Sequence, residues 1–479
     1  MLWVTLLLLV GCMEDEDYSV SPHDVLAFSK DTVAFDTVMT GMATNTYTFQ
    51  VYNHGEKSIR IPKVYLEKGA ESPFYVNVDG SFLEGGEVQG LEIGGGDSLR
   101  VFLFLNAPEG DDDQPRLIAD KLCFHTEGGR RQEVVLEAYG QDVIRLEMLT
   151  IDKDTLLSAK RPYHITDTLL IKSGVTLTIG EGTQLYFHPR ASLVVKGTLK
   201  ACGTLGQPIV MRGDRLGYMF SDQPYDRIPG QWGGVVFMEG SIGNVMNGCD
   251  IHSGNFGIRC DSSDVSKLTL TLENSIIHNV KNNGLAVRNA QVFVGNSQIT
   301  NAGGNCVFLR GGNSTFVHCT IGNFYVFAGG NGVALDFANY EGEVRLPLYS
   351  AAFYNSILTG YSTDEIMGSQ SERYTEDAFD YFFHHCLLNT PTFEDARVSN
   401  CFWDLDDQTV SREGNFTPDF DLDKLVFNFD LKAESQAVGN ADIEITQSFY
   451  PFDLKGNVRL ADGKADLGCY ECIPTDTIQ

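Results

Sequence analysis

The sequence predicts an all-β chain of two parts, a sandwich followed by a solenoid of stacked coils. Three observations predict it. Isoleucines recur at 277, 299 and 321, a step of 22 residues each time, and a fixed step of this size marks a stacked repeat. Each unit holds two short strand-like runs broken by Gly and Asn, such as Asn274 to His278 and Gly284 to Arg288, with no helical period. The first third instead alternates apolar and polar residues between turn clusters, the pattern of half-buried antiparallel strands.

Composition agrees with a folded, turn-rich chain. The 479 residues suffice for two sizeable cores, and 49 glycines against 15 prolines suit many tight turns. The formal net charge of -29 argues against a nucleic-acid partner, which wants a basic surface. It permits a cationic ligand or calcium without indicating either, so no cofactor is expected.

Residues 1–11 form an apolar run too short to span a bilayer. Leu9-Val10-Gly11-Cys12 resembles a bacterial lipobox, where a signal peptide is cut and the new N-terminal cysteine is acylated. The basic segment that usually opens a signal peptide is missing. Met13-Glu14-Asp15-Glu16-Asp17 follows at once, and residues 12–23 read as an acidic tether. This run resembles the surface-export signal of Bacteroidetes outer-membrane lipoproteins. The resemblance implies lipidation at Cys12, a membrane partner through that anchor, and an address on the outer membrane at the cell surface.

Residues 24–145 form the expected sandwich. Asp31 to Val38, Tyr47 to Tyr52, Ser98 to Phe104 and Gln132 to Ala138 read as strands. Asn53-His54-Gly55 and Gly94-Gly95-Gly96-Asp97 read as turns. With Phe35-Asp36-Thr37-Val38 and Gly140, this order resembles immunoglobulin-like domains of the abnormal-spindle/hydin type. Such domains act as spacers or protein-contact modules.

Residues 146–472 form the expected solenoid, with 473–479 as a tail. Gly197 onward, Pro208 to Met211 and Trp232 to Val235 resemble the opening coils of right-handed parallel β-helix proteins, the pectin-lyase-like fold. Further on, Cys249, Ser275, Ser297, Cys319, Ser356 and Cys386 share one position. Ile251, Ile277, Ile299, Ile321, Leu358 and Leu388 lie two residues later. Period two puts both columns on the inside, so these cysteines read as core fillers. Trp232, flanked by Gly and followed by a core strand, reads as a packed corner. Pro451 to Arg459 and Asp466 to Glu471 resemble the motif that closes many secreted β-helix proteins, which implies a C-terminal cap. Cys469 and Cys472 form a lone C-x-x-C, too little for zinc. Outside the cytoplasm a disulfide involving one of them is expected.

The resemblance makes an enzyme on acidic polysaccharide the alternative function. Hydrolases of this fold carry Gly-His-Gly, Asn-Thr-Asp and Arg-x-Lys elements; none of these is present. Asp406-Asp407 lies outside the clear repeats. No catalytic or metal-ligating residue is therefore assigned.

Two outward columns are the candidate ligand face. Aligning the second segments places Asp261, Arg288, Arg310 and Asp336 at one position of successive coils, as an ion-pair ladder or a groove for an anionic glycan. Asp250-x-His252 stacked on Ile276-x-His278 forms the second, as a polar stack or an acid/base pair. The expected function is a non-catalytic surface lipoprotein. It binds glycan or an outer-membrane protein, or serves as a subunit of an outer-membrane complex.

Overall fold

The computed structural model describes residues 18–146, 150–220, 223–327, 332–404, 412–417, 420–421 and 424–473. The expected signal peptide, Cys12, the acidic run to Asp17, and Asp406 and Asp407 lie outside the described residues, as do 474–479. The fold is all-β, an immunoglobulin-like sandwich followed by a right-handed parallel β-helix. It divides into Met1–Asp142 and Val143–Gln479.

The sandwich pairs a six-stranded sheet with a five-stranded one. The first holds Thr32–Met39, Ser58–Leu66, Glu87–Ile93, Arg116–His125 and Arg131–Gln141, joined by Tyr18–Ser19. The second holds Ala27–Phe28, Tyr47–Tyr52, Phe74–Val78, Ser81–Phe82 and Ser98–Leu105. Tyr18–Ser19 pairs with Ser58 and Ile59, so the end of the expected tether belongs to the sandwich. Val33, Val51, Leu103, Leu122 and Leu136 are fully buried between the sheets. Asn53 explains the turn signal at 53–55. Its amide accepts from Gly55 N and donates to the carbonyls of Lys57, Ile93 and Gly94, fastening two turns together.

In the β-helix each coil up to Phe379–His384 contributes one strand to each of three parallel sheets. Among the described residues these hold 11, 9 and 10 strands, called here the first, second and third sheets in the order the chain visits them, and the last coils contribute only to the first and third. The first coil starts at Ile144–Leu146, before the clear repeats. Ile251, Ile277, Ile299, Ile321, Leu358 and Leu388 stack in register and are fully buried. Each contributes about 1.5–3 kcal/mol by leaving water.

The corner before the first sheet carries a second regularity. Asn274, Asn296, His318, Asn355, His385 and Asn400 all have φ between 47° and 53°, a left-handed conformation that Asn tolerates best among residues with a Cβ. Asn296 donates to Asn274, and Asn274 to Asn247, each at 2.7 Å. The Ser/Cys column does more than fill space. Ser275, Ser297 and Ser356 accept a backbone N–H from the coil below and donate to the carbonyl two residues back. This is how the corner satisfies its buried backbone. Burial pushes the thiols of Cys249 and Cys319 well above the ordinary thiol range. All ten described cysteines are free, so the expected disulfide at 469 or 472 is not formed.

The C-terminal segment corrects the expectation of a cap. It lies along the flank of the middle coils. Tyr470 Oη donates to Gln298, Cys469 N to Thr320 Oγ1, Gly468 N to Asn355 O, and Arg459 to Asn296 Oδ1. The reason is apolar: the first sheet turns Ile357 and Leu387 outward, and Phe416, Phe429, Leu431 and Leu467 cover them as a second core.

Candidate functional site

The structure separates the two candidate columns. On the second sheet, Arg288 pairs in register with Arg310, and Cys260 with Val287, so Asp261 follows at the position of Arg288. Asp336 is a correction. It lies opposite Phe308, and Ala338 lies opposite Arg310. The chain between these strands is longer than in the preceding coils, and the true register slips by two residues. A slip of two keeps Asp336 on the same face. It still meets Arg310 through two contacts of 2.9 Å, while the guanidinium lies 3.7 Å from the centre of the Phe308 ring. Arg288 turns to Glu341 at 2.7 Å, and Asp261 to Arg259 at 3.0 Å. The column is therefore a row of separate ion pairs, each closed within the chain.

On the first sheet, Asp250, His252 and His278 do come together. His252 stacks over His278 with ring centres 4.7 Å apart. One oxygen of Asp250 meets His252 Nδ1 at 2.9 Å and His278 Nε2 at 3.3 Å. Burial alone would raise the Asp250 carboxyl, but the two imidazoles hold it below the usual carboxylate range. Burial lowers the His252 imidazole, against the pull of Asp250. Trp232 packs on Phe187 at 4.3 Å and donates its indole N–H to the His252 carbonyl, fixing that strand end. An anionic carboxylate beside two imidazoles can hold a cation or move a proton.

Two further groupings were not evident from the sequence. Asp214 Oδ2 meets His164 Nε2 at 3.1 Å and His188 Nδ1 at 2.8 Å. These residues come from three successive coils of uneven length, so no regular spacing flags them. His384, His385 and Asp442 are also close enough to share an ion. There, however, His385 already meets the carbonyl of Asn440 and the amide of Asn400.

The sandwich carries an aromatic surface. Tyr75 stacks on Phe104 at 4.8 Å, and their strands pair at these residues. Phe82 and Phe102 flank Asn77 in the same sheet. Tyr75, Phe82 and Phe102 are 50%, 62% and 39% exposed. The signal was present in Val101-Phe102-Leu103-Phe104, where both phases of the strand are apolar.

Comparison with known proteins agrees with the β-helix part of this architecture. Residues 222–344 match the family model described as a right handed beta helix region. A 61-residue stretch, 12% of this chain, is 43% identical to Protein bark beetle of Drosophila melanogaster, of whose length it covers 2%. Among solved structures, the ASH / PapD-like domain of human CEP192 is 16% identical. The match covers 29% of this chain and 96% of that one, with a TM-score of 0.17. A protein of unknown function from Porphyromonas gingivalis W83 is 16% identical over 27% of this chain and 60% of that one, with a TM-score of 0.18. The E. coli chaperone DraB is 12% identical over 24% and 54%, with a TM-score of 0.17.

Proposed function

We propose that this chain is a non-catalytic, lipid-anchored binding protein of the outer membrane, displayed at the cell surface. Its β-helix is a rigid scaffold and its sandwich carries the contact face. The supporting observation is the aromatic surface of Tyr75, Phe82, Phe102 and Phe104. Exposed rings grouped on a rigid sheet are the usual anchors of a protein interface. The chain's charge of -29 favours a partner with a basic rim around its apolar contact. The closed ion pairs of the second sheet support the scaffold role, because their charges already face each other. The apolar start and Cys12 support the anchor.

A pull-down from outer-membrane extracts tests this reading. The intact chain should return one stoichiometric protein partner from the membrane fraction, and the Phe82→Ser/Phe102→Ser variant should lose it. The Cys12→Ser variant should leave the membrane fraction. Equal capture by the double variant, or capture of glycan alone, overturns the proposed face. A second reading, an enzyme on acidic polysaccharide, is favoured by the Asp250, His252 and His278 cluster. Shortened or unsaturated products from uronic-acid polymers, lost in Asp250→Asn, would establish it instead.

A further inference from the structure

We propose that His164, His188 and Asp214 form a binding site for a divalent transition-metal ion of the zinc class. The site is built into three successive coils. His164 sits in the strand Tyr163–Ile165, His188 directly follows Gln184–Phe187, and Asp214 directly follows Ile209–Gly213. The ladder fixes their backbones: His188 N donates to Ile165 O at 2.9 Å, and Asp214 N to Phe187 O at 3.0 Å. The three ligand atoms lie within 4.8 Å of one another.

The donor set selects the ion. Two imidazole nitrogens and one carboxylate oxygen suit zinc and its neighbours, whereas calcium and magnesium take oxygen ligands. Bonds of about 2.0–2.1 Å in a tetrahedral arrangement put ligand atoms about 3.3 Å apart. The two contacts to Asp214 Oδ2 are 3.1 and 2.8 Å, within a few tenths of an ångström of that spacing, and the two imidazole nitrogens lie within 4.8 Å of each other. Asp214 supplies the negative charge.

The geometry also provides entry and a place for the displaced protons. The side chains of His164 and Asp214 are 4% and 5% exposed, and that of His188 is 46% exposed. Three ligands on a wall with one open side leave room for water at the fourth position. Metal binding at His164 Nε2 and His188 Nδ1 displaces the proton that each ring donates to Asp214 Oδ2; in His188 it can move to Nε2 of the half-exposed ring. In His164 the buried Nδ1, which has no hydrogen-bond partner among the described residues, can carry it instead.

The other two groupings fit less well. The Arg212 guanidinium acts electrostatically on Asp214 as well as on Asp250, but only in the Asp250 grouping does it also act on an imidazole, that of His252, against a second cation there. His385 already uses both ring nitrogens.

Calorimetric titration of the tag-free chain with zinc chloride tests the site, with cobalt absorption as a second readout of ligand number. The intact chain should bind one equivalent tightly. His188→Ala and Asp214→Asn should each weaken that binding by at least about tenfold. His278→Ala and His385→Ala should leave it unchanged. His188 is half exposed, so its replacement leaves the coil packed, and an unchanged metal-free melting point checks this. The proposal fails if the intact chain binds no zinc at micromolar concentration. It also fails if His188→Ala binds as tightly as the parent, or if His278→Ala or His385→Ala removes the tight site.

Discussion

The outer faces of the second and first sheets are built from the same repeat and handle charge in opposite ways. On the second sheet, charges meet in the open. Arg288 and Glu341 are 46% and 43% exposed, and Arg259 is 48% exposed beside Asp261. On the first sheet, the C-terminal segment covers the coils and carries charge inward. Arg459 is fully buried, pairs with Glu471 at 2.9 Å, and donates to Asn296 Oδ1 and the Gly468 carbonyl. Water screens the first kind of pair, so it sets register more than stability. The second kind has no water to fall back on. There the asparagine corner ladder of the coils ends on the arginine of the tail, joining segments distant in sequence.

Removing Arg459 should therefore have the largest effect. Burial and the neighbouring Asp466 push the Glu471 carboxyl up to about 8, and Arg459 opposes that shift. Arg459→Ala removes this counter-charge and leaves Asn296 without its donor, at a cost of about 3 kcal/mol. Hydrogen exchange across residues 424–473 should rise first, with the coils beneath following. The contrast between the faces breaks if this variant costs no more than an exposed one such as Arg288→Ala.

A buried carboxylate in the sandwich places the same contrast on a pH axis. Asp142 is 4% exposed. Burial would raise its carboxyl. The amides of Asp112 and Gly110, the Thr40 hydroxyl and Arg116 together bring it down to about 2. A folded value below the unfolded one gives stability that is present above about pH 4 and is lost as pH falls through 2. The contribution is about 2 kcal/mol. Denaturation of Asp142→Asn at pH 7 and pH 2 should show that difference shrinking towards zero in acid. An equal deficit at both pH values would assign the loss to shape rather than charge.

Much of the β-helix was legible because its inside repeats. The isoleucine column needs one apolar side chain per coil at a fixed step, and that survives in the letters. The Asp250, His252 and His278 grouping was legible for the same reason: its two strands stack without an intervening slip. Asp336 was misplaced because an insertion changed the register by two, and period two hides such a slip from an apolar pattern. The His164, His188 and Asp214 grouping falls in coils of unequal length, so no constant spacing points to it. The tail motif was recognisable, but its place was not. Its docking depends on Ile357 and Leu387 facing outward, which only the register reveals.

The exposed face itself holds two grades of pair, and double-mutant cycles should separate them. Arg310 and Asp336 are 14% and 20% exposed and meet through both terminal guanidinium nitrogens, over the Phe308 ring. Their coupling should be about 1 kcal/mol, because a flat two-point contact on an aromatic face is partly shielded from water. Arg288 and Glu341 meet through one nitrogen near half exposure. That coupling should be at most about 0.5 kcal/mol at low salt and should vanish near 1 M, where the screening length is about 3 Å. Equal couplings, or a salt dependence confined to the Arg310 pair, would show that exposure does not rank these contacts. The second sheet would then need to be treated as one electrostatic network rather than as separate pairs.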